Sequence, residues 1–391
     1  MKNYHLMHKN DICGVLSIDI ISSKFENYKD NNEGFSPFLG NTTIENMNRW
    51  WEMRAIPSSR ETIRKLINSL EIITSEDYLA KNLALSITDT YWIKPDGSDL
   101  KYEDINLFNL KDPCCEKIPY HNASCYDPNA SLGGQMEKYW DMSHDTPVLT
   151  KEAFKYFGQQ AVNEVFATLI HTRQNTQIPF VKYSLSATDE GSILSFCDSF
   201  TNEDIEFISA YEIVSSSKVS NNNSMYEHYI KCCKDNGIDE EYIRTFMDYQ
   251  TLTDFVISNS DEHLMNFGIL RDANTMKLLG PAPIFDSGNS MFFSNLKKTP
   301  FTRAELLERQ ITSFYKTEEK MLKNVRYKNI VDVSLLPQVS EVKDFYANNG
   351  IPEDRAERIA INYGTKCTML NEFQHGKTIS FYNEKTNDLS F

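Results

Sequence analysis

Three polar residues in two short segments constrain this chain more than anything else in it. The run Asn259-Ser-Asp-Glu-His-Leu-Met-Asn266-Phe-Gly268 sets Asp261 five positions before Asn266. Twenty positions further on, Ile284-Phe-Asp286-Ser-Gly288 sets a second aspartate just ahead of a Ser-Gly turn. Phosphoryl transfer from ATP needs such a set. One carboxylate orients or deprotonates the attacking hydroxyl, while an amide oxygen and a further carboxylate hold the magnesium ions that neutralise charge on the transferring phosphate. The surroundings suit this reading. Tyr242 to Ser258 reads as a buried helix, with Ile243, Phe246, Met247, Leu252, Phe255 and Val256 in helical register, and it leads directly into the Asp261 segment. Asp272 to Lys277 reads as a turn between two short strands, which leaves Asp286 at the far end of that hairpin.

Bulk properties exclude several other classes. A chain of 391 residues with 40% hydrophobic and 12% aromatic residues can bury a sizeable core. Its formal net charge of −15 argues against binding nucleic acid through phosphate neutralisation. The eight cysteines (Cys13, Cys114, Cys115, Cys125, Cys197, Cys232, Cys233 and Cys367) include no C-x-x-C spacing, so a zinc site is not expected and free thiols in a reducing cytosol are. The first residues lack the apolar region of a signal peptide, and no apolar run approaches the roughly 20 residues that span a bilayer. The expectation is a cytoplasmic protein without a membrane segment. The Asn-x-Ser/Thr matches at Asn41, Asn122 and Asn222 then count as chance.

Three units follow from the texture of the chain. Residues 1–122 read as an N-terminal α/β subdomain: a strand over Cys13 to Ile21, a polar loop from Lys24 to Glu33, a helix opened by Pro57-Ser-Ser-Arg60 with Ile63, Leu66, Ile67 and Leu70 on one face, and a short helix from Asp77 to Leu85. The pair Trp50-Trp51 is expected to bury aromatic area against the next lobe. Residues 123–200 carry a glycine turn, Ser131-Leu-Gly-Gly-Gln-Met-Glu-Lys138, then a strand to Lys151, a helix from Phe157 to Thr172, and strands over Phe180 to Leu185 and Ser192 to Cys197. Residues 201–391 read as mainly helical, with a polar surface loop at Ser215 to Ser224 and amphipathic helices from 303 to 375. The fold class expected is α+β: two lobes in the manner of protein kinases, with a small mixed α/β N-lobe and a mainly helical C-lobe.

Within that frame Asp261 is the candidate catalytic base, and Asn266 and Asp286 are the candidate Mg²⁺ ligands. Magnesium prefers oxygen donors in a shell partly filled by phosphate and water. Lys151 is the candidate for the ATP phosphates, with Glu164 thirteen residues later as its ion-pair partner. Lys138, Lys155 and Lys182 are rivals for that place. Gly133 and Gly134 would let the backbone approach phosphates closely, although no G-x-x-x-x-G-K-[ST] loop is present. His263 has no second His or Cys at metal-binding spacing, which favours a role in fixing its own loop.

The ordered set S-L-G-G-Q-M-E-K (131–138), V-L-T-K (148–151), N-E (163–164), N-S-D-E-H-L-M-N-F-G (259–268) and P-I-F-D-S-G (283–288) resembles the HipA-like serine/threonine kinases, bacterial proteins related to the toxin of HipA–HipB persistence modules. The resemblance implies ATP and Mg²⁺ as cofactors, Asp261 as catalytic base, and Asn266 and Asp286 on the metal. It implies Lys151 on the ATP phosphates and Gly133, Gly134, Gln135 and Lys138 in the phosphate-covering loop. It also implies adenine held by backbone groups of Ser195, Phe196 and Cys197. Autophosphorylation in the glycine loop would fall at Ser131. The partners implied are a protein substrate with a Ser or Thr acceptor and an antitoxin. A small-molecule or lipid kinase with the same D-x-H-x-x-N chemistry, and a non-catalytic pseudokinase module, are the competing readings. The absence of a polybasic run disfavours the lipid case.

Overall fold

The computed structural model describes residues 2–19, 22–31, 34–40, 42–61, 63–65, 74–109, 126–188, 191–220 and 223–388. The expected helix positions Leu66, Ile67 and Leu70, the cysteines Cys114, Cys115 and Cys125, the sites Asn41, Asn122 and Asn222, and the unit boundary at 122/123 lie outside them. The other five cysteines are all free thiols.

The N-terminal part is built on a four-stranded antiparallel sheet of order β3-β2-β1-β4, comprising β1 (Lys2–His8), β2 (Asp11–Ile18), β3 (Phe25–Asp30) and β4 (Tyr91–Pro95). One face packs Leu6, Leu16, Ile18 and Phe25 against helix α1 (Ile44–Arg54), whose first turn is capped by the Thr43 hydroxyl. Strand β3 corrects the expected loop at Lys24 to Glu33. It is an edge strand, anchored by buried Phe25 and otherwise carrying polar residues, so it lacks the apolar alternation that marks an interior strand. The tryptophan pair is also corrected. Trp51 is fully buried inside this unit's own core, 4.9 Å from the Phe25 ring, and its indole N–H donates to Ser23 O. Among the described residues the unit also carries the short helices α2 (Ser75–Lys81) and α3 (Tyr102–Ile105), and residues 61 and 63–65 are helical.

A second four-stranded antiparallel sheet has the order β5-β6-β8-β7: β5 (Lys138–Asp141), β6 (Val148–Ala153), β7 (Ser184–Ala187) and β8 (Ile193–Asp198). Helix α4 (Gln159–Gln174) connects β6 to β7, burying Val162, Phe166 and Ile170. Beyond it the chain is mainly helical, around a small sheet of order β11-β10-β9: β9 (Ile205–Ser209), β10 (Gly268–Asp272) and β11 (Leu278–Pro281). The helices are α5 (Ala210–Ser215), α6 (Met225–Asp235), α7 (Glu240–Ile257), α8 (Arg303–Glu308), α9 (Val339–Asn348), α10 (Glu353–Gln374) and α11 (Phe381–Asp388). Every residue of α7 from Phe246 onward is buried, which makes it the axis of this half. The expected helices from 303 to 375 are interrupted: residues 309–338 hold only short 3₁₀ turns. There Glu318 turns inward to a buried ion pair with Lys366 and Arg309 instead of lying on a solvated helix face. Among the described residues no helix is long and apolar enough to cross a membrane.

The N-terminal sheet is joined to the β9–β10 sheet through a buried carboxylate. Glu206 accepts two bonds from the Arg271 guanidinium (2.9 and 2.7 Å), and the amide and hydroxyl of Thr90 donate to its other oxygen, with His8 Nε2 3.0 Å away. Burial opposes its ionisation, but the His8 bond and the Arg271 charge outweigh it and hold the carboxyl below the usual carboxylate range.

Candidate active site

Helix α7 ends at Ser258, which takes a left-handed conformation (φ 50°) and turns the chain sharply into Asn259. The Asn259 amide nitrogen then bridges two buried carboxylates, Asp254 of α7 and Glu262 of the loop, at 3.0 Å each. Gln250 donates to the other Glu262 oxygen (2.6 Å). This buried polar knot fixes the loop from its inner side and leaves Asp261 and His263 half-buried on the other. Asn266 Nδ2 donates to the Asp261 carbonyl (2.8 Å), so its Oδ1 is the atom left to bind a ligand. His263 Nδ1 accepts the Met265 amide (3.3 Å), in keeping with a loop-fixing role. Gly268 then starts β10. A side chain there would run into the Ile208 carbonyl of β9, so the hairpin that carries the chain on to Asp286 needs a glycine at this point.

Asp286 is itself left-handed (φ 63°), a conformation that costs a non-glycine residue roughly 1 kcal/mol. It meets the middle sheet at Lys151, whose ammonium lies 2.5 Å from Asp286 Oδ1 and 2.7 Å from Glu164 Oε1. The same ammonium lies 5.0 Å from the Tyr183 ring centroid. Burial of Lys151 favours its neutral form, but Asp286 and Glu164 together reverse this and hold its pKa above the ordinary lysine value. The two carboxylates differ. Glu164 is fully enclosed, and burial raises its pKa despite the lysine. The Asp286 side chain is 32% exposed and is depressed by Lys151 and Lys138, which overcome its own burial. Of the rival lysines, Lys155 and Lys182 are exposed, whereas Lys138 is paired in register with Lys151 across β5 and β6. Burial lowers Lys138 to about 8; Asp286 resists this, while Lys151 and Arg60 add to it.

The glycine turn leans on the N-terminal unit. Arg60, almost wholly buried, donates from Nη2 to Gly133 O (2.5 Å) and from Nε to Gly134 O (2.8 Å), and Ser59 donates to the Gln135 side-chain oxygen. The Gln135 side chain is therefore engaged with Ser59. Because each trans peptide sets N–H opposite C=O, the amides of Gly134 and Gln135 point away from Arg60. Two successive amides of this kind can cradle an anion. Gly134 also leaves room for Lys138, since a Cβ there would lie 2.7 Å from its Nζ.

One expectation needs correction. Ser195 and Phe196 lie inside the sheet, paired with Lys151 and Thr150 of β6 on one side and with Leu185 and Ser184 of β7 on the other. Their backbone groups are taken up by the sheet and cannot read adenine. Cys197 is paired on the β6 side with Leu149 and its thiol is buried. Backbone free of two-sided pairing therefore begins at Cys197 and continues through Asp198 into the connection that follows.

Other contacts at the site have no direct signal in the sequence. Asn289 Nδ2 donates to Asp261 Oδ2 (2.7 Å), and Arg60 and Tyr183 join the cluster as described. Helix α4 meets the Asp286 segment through polar side chains beside Glu164. Their trace in the sequence is Gln159, Gln160, Asn163 and Glu164, a polar stripe on an otherwise apolar helix.

No family model matches the chain, and no curated protein matches it. Among solved structures it is similar to the Helicobacter pylori proinflammatory kinase CtkA, at 15% identity and a TM-score of 0.42, covering 66% of this chain and 97% of that one. It is also similar to a chain of the Shewanella oneidensis MR-1 toxin–antitoxin complex of HipA, HipB and operator DNA, at 11% identity and a TM-score of 0.46, covering 94% of this chain and 91% of that one.

Proposed function

We propose that this chain is a HipA-like kinase that uses ATP and Mg²⁺ to phosphorylate a Ser or Thr hydroxyl of a protein. The observation that carries the reading is the convergence of Lys151, Glu164 and Asp286 within 2.7 Å contacts, with Asp261 one hydrogen bond from the same segment. Lys151, kept protonated, is suited to the α- and β-phosphates, with Glu164 holding it in place. The amides of Gly134 and Gln135 and the Lys138 ammonium add positive charge beside it. Asn266 Oδ1 and the part-exposed Asp286 carboxylate are the oxygen donors that would hold Mg²⁺, whose contribution when bound is to neutralise the phosphate oxygens. Asp261 accepts the proton of the attacking hydroxyl as its oxygen bonds to the γ-phosphorus and the bond to ADP breaks. Adenine falls to the backbone from Cys197 into the connection after β8.

The test is intact-mass measurement after incubation with ATP and Mg²⁺, beside Asp261→Asn. A phosphate added to the wild type and absent from the variant supports a protein kinase, and peptide mapping asks whether Ser131 carries it. ATP turnover without protein labelling, stimulated by a metabolite, transfers the reading to a small-molecule kinase. A wild type that neither binds nor turns over ATP is a pseudokinase and ends the proposal.

A further inference from the structure

Four residues at the start of α4 hold the segment that follows Asp286. Gln159 Nε2 donates to Met291 O (2.9 Å), Gln160 Nε2 to Asn289 Oδ1 (2.8 Å), and Asn163 Nδ2 to the carbonyls of Gly288 and Ser290 (2.8 Å each). Glu164 Oε2 accepts the Ser287 amide (2.9 Å). Gln159 and Asn163 are fully buried, where an amide is tolerated only if both ends are bonded, and both are. Arg355 donates to Gln159 Oε1 (2.7 Å) and Tyr346 to Asn163 Oδ1 (2.8 Å). Helix and segment are thus one body, stitched residue by residue.

Asn289 is where this body reaches the candidate base. Its amide is polarised in one direction: the oxygen accepts from Gln160 and the nitrogen donates to Asp261 Oδ2. The backbone carbonyl of Asn289 also receives the Ser260 amide (3.2 Å) and hydroxyl (2.9 Å), which locks the two loops side by side. A carboxylate held at one oxygen can no longer spin about its Cβ–Cγ bond, so its second oxygen presents to a hydroxyl in a fixed plane.

We propose that Asn289 is a positioning residue for the Asp261 carboxylate, and that Gln160 makes this positioning depend on helix α4. The inference rests on the reading of Asp261 as the base. Gln160 and Glu164 are one helical turn apart and both hold the segment, so a displacement of α4 that withdraws Glu164 from Lys151 also draws Asn289 away from Asp261. The phosphate side and the hydroxyl side of the site are then set together by one helix.

The experiment compares wild type, Asn289→Ala, Asn289→Asp, Gln160→Ala and the double Asn289→Ala/Gln160→Ala. It reads MgATP binding by calorimetry, melting temperature, and kcat and KM from ADP release. Misplacing a reacting group by about 1 Å costs on the order of 100-fold in rate, so Asn289→Ala is expected to lose roughly 10- to 100-fold in kcat with KM and MgATP affinity unchanged. Asn289→Asp cannot donate and sets like charges together, and it loses at least as much. Gln160→Ala shows a smaller loss of the same kind and adds nothing in the Asn289→Ala background, because its effect passes through Asn289. Undiminished kcat in Asn289→Ala, or additive losses in the double variant, overturns the inference while leaving the proposed function standing. A wild type that does not bind MgATP overturns the proposed function itself. Should Asn289→Ala fail to fold, an undiminished kcat in Gln160→Ala still overturns the dependence on α4.

Discussion

Lys151 serves two carboxylates of unequal exposure, and its removal separates their needs. Lys151→Met leaves Asp286 partly open to water and still near Lys138, but it leaves Glu164 sealed with no cation. Breaking one side of a buried pair costs about 3 kcal/mol or more, so urea unfolding of Lys151→Met should show a loss of that order. Adding Glu164→Gln removes the stranded charge and should restore most of the stability, whereas the proposed phosphoryl transfer should be lost in both variants. A single variant as stable as wild type would contradict the buried pair. The knot behind Asp261 makes a different prediction at the same scale. Burial raises Asp254 to about 7, and burial with the neighbouring charges of Asp254 and Asp286 raises Glu262 well above the ordinary value. Carboxyls with raised folded-state pKa values stabilise the fold fully below their unfolded value of about 4, and that stability is lost as pH rises through the folded value. Melting temperature should therefore fall between about pH 5 and pH 8, and Asp254→Asn should flatten this part of the curve. Parallel curves for the two proteins would show that Asp254 does not carry this pH dependence.

At the level of elements, local chemistry was legible and long-range pairing was not. The α7 helix, the Asp261 loop and the β10–β11 hairpin announce themselves because their periodicity and turn residues are contiguous in the chain. The Lys151–Glu164 pair could be anticipated because strand and helix are adjacent. The interior position of β8 is not legible, since it depends on β7 and β6 closing on both sides of it; of the three residues that the resemblance implies for adenine, Ser195 and Phe196 have their backbone taken by the sheet, whereas Cys197 is paired on one side only. The anchoring of the glycine turn was hidden for the same reason: Arg60 lies more than seventy positions away. Arg60→Ala should slacken that turn and weaken MgATP binding about 10-fold, the equivalent of one charged hydrogen bond of about 1.5 kcal/mol, with a smaller effect on kcat. Calorimetry showing wild-type affinity would detach Arg60 from the nucleotide. The entry to α4 is locally strained: Tyr156, Phe157 and Gly158 are all left-handed, and Phe157 is 59% exposed. With little packing to lose, Phe157→Gly should relieve that strain and raise stability by about 0.5 to 1 kcal/mol in denaturant unfolding. Destabilisation instead would show that the exposed ring has a partner.

For the whole molecule the decisive feature is that its two largest apolar cores meet across a polar joint, beside a smaller apolar cluster in which Met7 and Trp92 pack with Leu132, Trp140 and Met142. The N-terminal core gathers Leu6, Leu16, Phe25 and Trp51, while the larger core is centred on α7 and α10 with Phe166, Phe246, Phe255 and Tyr363. Between them lies the Glu206 cluster, in which His8 and Thr90 come from one side and Arg271 from the other. Such a joint is cooperative only while every charge in it is paired, because an unpaired buried guanidinium costs more than the pair itself contributes. Glu206→Ala strands Arg271, and the least costly response is for the N-terminal sheet to come away so that water can reach it. Calorimetry of Glu206→Ala should therefore resolve two transitions in place of one, the lower belonging to the N-terminal unit. Replacing both partners, Glu206→Leu with Arg271→Met, removes the stranded charge and should return a single transition. Because Arg60 reaches the glycine turn from that same unit, MgATP binding by Glu206→Ala should weaken at the temperature of the lower transition and not at the higher one. A single undivided transition in Glu206→Ala, with MgATP binding lost only at its midpoint, would mean that the apolar contacts alone hold the units together and that the buried carboxylate merely tolerates its position.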